Sequence, residues 1–309
     1  MATMQAPAPL RTPVPLIGAP MAGPAGGRLA HAISRAGALG MVGVPPTADA
    51  EWIRREAAIA GSDATPYGLG LLAWALSSAP EQLEAVLEVR PTLASVSFGP
   101  YAEPVRRLRE AGILTATQVG SLADLEEAEA AGVDVIVVRG SEGGGHGRDE
   151  LATLPLLQLV LDRTDRPVYA AGGILGHRGL AAVLAAGAAG AWVGTAFLGC
   201  VEAAGSPAAK AAIFAAEQTG FGRVFDRAQE AAWPAEFGGR AVANPFFEEW
   251  VGREDELDDA ARTRFRAAVA DGDFSVAHVY AGQGVAALTG ETTAAEVVAG
   301  FVRAVDPSS

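Results

Sequence analysis

The segment Val137-Val138-Arg139-Gly140-Ser141-Glu142-Gly143-Gly144-Gly145-His146-Gly147 gathers an arginine, a glutamate, a histidine and five glycines into eleven residues. Glycine at such density lets backbone wrap closely around a ligand. A neutral imidazole, with an ordinary pKa of about 6.5, is suited to taking a proton near neutral pH, which makes His146 a candidate base. The bland alternative is a flexible surface loop with an incidental histidine. Arg139, at the C-terminal end of a strand candidate, could hold negative charge on a ligand, or it could pair with Glu142 and only shape the loop.

Two further segments end in glycine where anions bind: Ala170-Ala171-Gly172-Gly173-Ile174 and Val193-Gly194-Thr195-Ala196-Phe197. Backbone N–H groups approach a phosphate closely at such turns, and the Thr195 hydroxyl can add a donor. Taken singly, each could be no more than a tight turn. Earlier, Ala19-Pro20-Met21-Ala22-Gly23 offers small residues against which a flat ring could lie, with Met21 as a soft wall.

Other chemistry is poorly served. Lys210 is the single lysine and lies in an Ala-rich helical stretch, Pro207 to Glu217, which disfavours Schiff-base catalysis. Cys200 alone makes neither an intramolecular disulfide nor a cysteine-rich zinc site. His31, His177 and His278 stand apart in helix-like stretches, without metal-ligand spacing, and read as surface or packing residues. No metal is expected.

Eight β-rich runs must position these residues: Leu16 to Ala22, Leu39 to Val44, Tyr67 to Trp74, Leu93 to Phe98, Ile113 to Val119, Val133 to Arg139, Pro167 to Ile174 and Ala191 to Phe197. They recur about every 25 residues, the length of a strand, a helix and two short loops. Amphipathic stretches such as Glu81 to Leu87 and Leu122 to Ala128 lie between them. The last three runs are nearly all apolar, as parallel strands covered on both faces require. An α/β (β/α)8 TIM barrel is predicted over 1–202 and 275–309, with the active site at the C-terminal strand ends and phosphate beyond strands seven and eight. An open doubly wound sheet is the alternative. Residues 203–274, with an aromatic stretch and a charged helix from about Asp255 to Asp271, read as an insert or lid. Ser275 to Leu288 and Thr293 to Val305 read as closing helices.

With 309 residues, half of them apolar and 19 % charged, the chain can bury a large core. Its net charge of −13 disfavours nucleic acid and anionic membranes. Without an apolar leader or long apolar run, a cytoplasmic location is expected.

These motifs, in this order, resemble the FMN-dependent nitronate monooxygenase family. The resemblance runs over most of the chain. It rests on Ala19 to Gly23, Gly140 to Gly147, Ala170 to Ile174 and Gly194 to Phe197, with Trp233-Pro234, Gly239-Arg240, Asn244 and Ala281 to Gly284 further on. It implies FMN at the barrel mouth, its ring near Ala19, Pro20, Met21 and Ala22. The phosphate would lie on Gly172, Gly173, Gly194 and Thr195, with Gln118, Arg139, Gly140, Gly144 and Gly145 also at the cofactor. His146 would be the base that deprotonates a nitroalkane or steadies a nitronate, and O2 would complete conversion to a carbonyl compound and nitrite. Arg139, Tyr67 and Trp74 are substrate candidates, and a homodimer is among the allowed assemblies. Two positions depart from the family pattern: Arg139 stands for its usual glutamine, and Gly70 for its usual asparagine. Related flavin-dependent enoyl reductases share the glycine loop, so NAD(P)H-driven enone or enoyl-thioester reduction is the alternative. A non-redox phosphate barrel, or a flavin protein without turnover, is a third.

Overall fold

The computed structural model describes residues 7–304. Eleven strands occur in chain order: β1 Leu16–Gly18, β2 Met41–Gly43, β3 Gly68–Leu72, β4 Leu93–Ser97, β5 Leu114–Val119, β6 Val135–Arg139, β7 Gly145–Gly147, β8 Val168–Ala171, β9 Gly190–Val193, β10 Thr219–Gly222 and β11 Gly238–Val242. The eight barrel strands pair in parallel in the order β1-β9-β8-β6-β5-β4-β3-β2. Leu39 N–H donates to the Leu16 carbonyl (3.0 Å), and Gly18 N–H to that of Leu39 (2.8 Å), joining the two ends of the sheet. This is the (β/α)8 barrel that the strand pitch implies. Each ladder is shorter than its apolar run, because residues such as Ala19 to Ala22 and Gly172 to Ile174 leave it to build turns.

Strand side chains alternate between two cores, as the period of two demands. Ile17, Met41, Leu93, Ala116, Val135, Val137, Tyr169 and Trp192 form one apolar cluster inside the barrel. Their neighbours Leu16, Val42, Ala94, Ile136, Val138, Ala170 and Val193 belong to a second cluster, shared with the surrounding helices. Those helices are α1 Gly27–Arg35, α2 Ala50–Ala60, α3 Glu81–Val89, α4 Ala102–Glu110, α5 Leu122–Ala131, α6 Thr153–Leu161 and α7 His177–Ala186. Leu29, Ile53, Val86, Val105, Leu125, Leu157 and Leu180 bring their apolar faces onto the sheet. Ser121 caps α5 by accepting from Asp124 N–H (3.1 Å), while the Asp124 carboxylate accepts from Gly120 N–H, one residue before the cap.

Beyond β9 lie α8 Pro207–Ala215, α9 Val224–Gln229, α10 Pro245–Trp250, α11 Asp259–Asp271 and α12 Ala294–Val302. The predicted charged helix thus begins at Asp259, capped by Asp258. Thr293 and Glu296 form a capping box at the start of α12, whose predicted end at Val305 lies outside the described residues. The Ser275 to Leu288 helix is not formed. That segment begins in a turn, passes beside β11 around Val279 and Tyr280, with Val242 N–H donating to the Val279 carbonyl, and ends in a short 3-10 turn, Val285–Ala287. Gly282 and Gly284 weaken helix propensity there, and pairing with β11 supplies the alternative.

A separate apolar cluster forms around Phe225, Phe246, Phe247 and Phe265, and it takes in Val276 and Ala277 from beyond residue 274. The sheet β10-β11-β7 is antiparallel and includes β7 from the glycine segment. No helix among the described residues is long and apolar enough to cross a membrane.

Gln82 of α3 is 1 % exposed, and its Nε2 donates to the carbonyls of Pro45 (3.0 Å), Pro46 (3.3 Å) and Ala48 (2.8 Å). It thereby ties the loop after β2 to the barrel wall. Gln82→Met keeps the volume but leaves those acceptors short of a donor, so a loss of roughly 2 kcal/mol is expected. Urea denaturation measures it; an unchanged midpoint would remove the role assigned to this amide.

Candidate active site

A cavity of about 1040 Å³ opens at the C-terminal ends of the barrel strands. The strand alternation dictates its floor: the last inward-facing positions are Ala19 after β1, Gly70 on β3, Ser95 and Ser97 on β4, Gln118 on β5, Arg139 on β6, Ala171 on β8 and Gly194 after β9. All of them line it. Gly70 is where Pro20 approaches; a Cβ there would lie 2.4 Å from the proline ring. An asparagine at this position therefore has no room in this chain.

The two expected anion turns meet on one side of this floor. Gly172 and Gly173 have φ of +111° and +70°, a backbone shape that side-chain-bearing residues rarely adopt. Gly194 precedes the short 3-10 helix Thr195–Phe197, whose first N–H groups have no intrahelical acceptor. The Thr195 hydroxyl accepts from Gly282 N–H (2.9 Å), which leaves its own hydrogen available to a ligand. Gln283 N–H donates to the Glu142 carbonyl (3.0 Å), joining the closing segment to the glycine loop.

His146 lies on β7 rather than in a mobile loop tip. Its backbone pairs with Gly239 of β11, and its ring is stacked on Trp233 with centroids 3.6 Å apart and planes 5° apart. His146 Nε2 is 2.7 Å from Asp226 Oδ1; these side chains are 7 % and 2 % exposed. Tyr280 places its hydroxyl 3.5 Å from the same Oδ1. The imidazole is thus fixed by a carboxylate, an indole face and a sheet.

Arg139 lines the cavity but does not pair with Glu142. It is 4 % exposed, and its guanidinium donates to the carbonyls of Gly143 (2.7 Å), Gly145 (2.8 Å), Gly144 (3.3 Å) and Arg148 (3.3 Å). Glu142 instead accepts from Thr153 N–H and hydroxyl at the start of α6, both at 2.7 Å. Burial, reinforced by Arg240, pushes Arg139 down to about 10, so it remains a cation at neutral pH. Most of its donors are spent on the loop that carries His146. Arg240 clamps the same loop from β11, through the Ser141 carbonyl (2.7 Å) and Asp149 (3.0 Å).

Pro20, Met21, Ala22, Gly144, Gly145, Gly172, Gly173, Thr195 and Trp74 also border the cavity. Tyr67 does not: it packs against the outer core, and its hydroxyl donates to the Val89 carbonyl (3.2 Å). Position 67 precedes the ordered strand, at the end of the barrel opposite the mouth. Gly140 lies behind the wall, against Thr153. His278, read as a helical packing residue, is instead non-helical and borders the cavity, its ring 5.0 Å from that of Tyr280. Asp226 was not singled out by sequence; an acidic residue amid the aromatic stretch was its only signal.

Comparison with known proteins bears on this geometry. The profile of the nitronate monooxygenase family matches residues 71–303. A nitronate monooxygenase of Paraburkholderia phytofirmans is 30 % identical over 94 % of this chain and 91 % of its own. A Rhodococcus jostii protein, named as a dehydrogenase of a hydroxy-methyl-oxo-octahydroindene-carboxyl-CoA, is 36 % identical, over 60 % of this chain and 52 % of its own. The solved structure of a nitroalkane oxidase from Streptomyces ansochromogenes superposes with a TM-score of 0.80 at 28 % identity, covering 96 % of this chain and 98 % of that one.

Two outcomes follow from these buried basic groups. Arg139→Met removes the donor from several loop carbonyls and is expected to cost about 3 kcal/mol. The segment 140–149 should become sensitive to limited proteolysis, and a variant of native stability with a protected loop would contradict the strut role. Burial drives His278 down to about 4, with the Asp226 charge opposing and His146 adding to the shift. The unfolded chain then binds a proton on this ring before the native state does. Its contribution to stability is whole above about pH 6.5 and falls as pH drops towards 4, on the order of 2–3 kcal/mol. Denaturation across that window should show a shallower acid loss for His278→Phe than for the native chain.

Proposed function

The chain belongs to the nitronate monooxygenase family, and from that premise we propose that it uses FMN and O2 to oxidise alkyl nitronates and nitroalkanes to carbonyl compounds and nitrite. The observation that carries this reading is His146, braced by Asp226 and Trp233 at a glycine-lined cavity on the C-terminal ends of a parallel barrel.

The residues present suit FMN. The cavity volume is at the upper end of small-molecule sites, leaving room for a nucleotide and a small substrate together. Gly172, Gly173, Gly194 and Thr195 would hold the phosphate, with the free Thr195 hydrogen as a donor. Ala19 to Ala22, with Gln118, Gly144 and Gly145, would border the ring. When bound, the flavin supplies the electron acceptor for the nitronate, and O2 completes the conversion.

This chain's own residues handle the proton and the water. His146 removes the proton from the carbon bearing the nitro group. Trp74 Nε1 is buried without an acceptor among the described residues and lines the cavity, so its N–H can donate to a nitro oxygen. Trp233 covers one face of His146, and Phe98 meets it edge-on at 5.4 Å, keeping water from the reacting carbon. Arg139 is not assigned to the substrate, because the glycine loop occupies its donors.

A yellow protein whose flavin bleaches anaerobically with a nitronate is the expected result. The dehydrogenase name of the Rhodococcus relative favours a second reading, NAD(P)H-driven reduction of an enone or enoyl thioester. Bleaching by NADH or NADPH with no response to nitronate would select it. Under the first reading, His146→Ala should slow turnover of neutral nitroalkanes by roughly 10²–10⁴-fold. Preformed nitronates, which need no deprotonation, should be affected far less; equal losses would end the base assignment.

A further inference from the structure

His146 has two ring nitrogens, and which one is free decides what it can do. Its Nε2 points at Asp226, 80 residues away in sequence, at 2.7 Å. A carboxylate only accepts, so Nε2 carries the hydrogen and the lone pair of the neutral ring is on Nδ1. The ring cannot readily turn to exchange them. Trp233 is stacked on one face, Tyr280 is tilted against it at 5.1 Å, and β7–β11 pairing fixes the backbone below.

Asp226 is itself held. It lies on α9, whose Val224, Phe225 and Ala228 are buried in the aromatic cluster of the insert. Arg223 Nε stands 3.9 Å from Asp226 Oδ2, and neither atom has a hydrogen-bond partner among the described residues. Oδ1 is thereby the oxygen committed to the histidine, with the Tyr280 hydroxyl beside it.

We propose that Asp226 is the positioning residue of His146: by accepting the Nε2 hydrogen it fixes the tautomer whose Nδ1 takes the substrate's proton. The proposal rests on His146 acting as the base, and it deepens that reading by naming the acting atom and the residue that selects it. Asp226 touches no substrate; it acts through the ring.

Nitrogen NMR of the full chain labelled with 15N-histidine reads the tautomer directly, with the His146 signals identified by their loss in His146→Gln. At a pH where the ring is neutral, an Nε2–H tautomer is expected in the native protein and in Asp226→Glu. Asp226→Asn should give a mixture, because an amide can either donate to Nε2 or accept from it. Turnover of a neutral nitroalkane should fall by roughly 10²-fold or more, because the amide neither holds one tautomer nor stabilises the imidazolium that forms. Turnover of preformed nitronate should stay within a few-fold, and Asp226→Glu should recover part of the loss. An Nδ1–H tautomer in the native protein overturns the proposal, as does an unchanged tautomer in Asp226→Asn. Should Asp226→Asn not fold, the native and Asp226→Glu spectra still decide. A protein that ignores nitronates yet shows Nε2–H on His146 would defeat the functional reading and leave the positioning intact.

Discussion

Arg139 carries a full charge into the barrel mouth, and backbone carbonyls of Gly143 to Gly145 answer it rather than a carboxylate. An unpaired buried cation is costly, so this solvation by carbonyls is required if the charge is to remain where it is. The loop must curl back over the guanidinium to deliver those oxygens. Doing so brings residues 145–147 out beside β11, where they can form β7. Without that curl the glycine segment has no reason to join a sheet, and His146 has no fixed backbone. The β10-β11-β7 sheet, the histidine's register and the cavity rim all descend from the manner in which one arginine is solvated.

Glycine makes the arrangement possible, and it also explains why the sequence was ambiguous there. A segment with three consecutive glycines has no side chains to announce a partner, so a mobile loop and a clamped one look alike in one dimension. Arg139 was correctly located at a strand end. Its partners, however, are carbonyls, which every residue possesses and no sequence displays. The barrel was far more legible. Apolar runs at a regular pitch mark the eight strands, whereas the inward-facing set from Ala19 to Gly194 emerges only with the strand pairing. The anion turns followed from glycines at the ends of those strands.

The illegible features depend on distant pairing. Asp226 meets His146 across 80 residues, and its place amid the aromatic stretch names no partner for it. Ser275 to Leu288 is Ala-rich enough to suggest a helix, yet β11 offers its backbone a competing set of hydrogen bonds, and Gly282 and Gly284 tilt the balance. Tyr67 failed for a simpler reason. The apolar run begins before the ladder does, and the residue at its start belongs to the barrel's closed end, where a hydroxyl finds the Val89 carbonyl.

Two histidines lie near one carboxylate, and their contacts differ. His146 has Asp226 in direct hydrogen-bond contact, so its ring has a specific partner for one nitrogen. His278 sits among Phe225, Phe265 and Tyr280 with an unpartnered Nδ1, and burial there opposes charge more strongly than the Asp226 field favours it. A neutral His278 adds no positive charge to compete for Asp226. The carboxylate's hydrogen-bonding oxygen is therefore left to His146, and the aromatic core of the insert contributes to the site by keeping its other histidine uncharged.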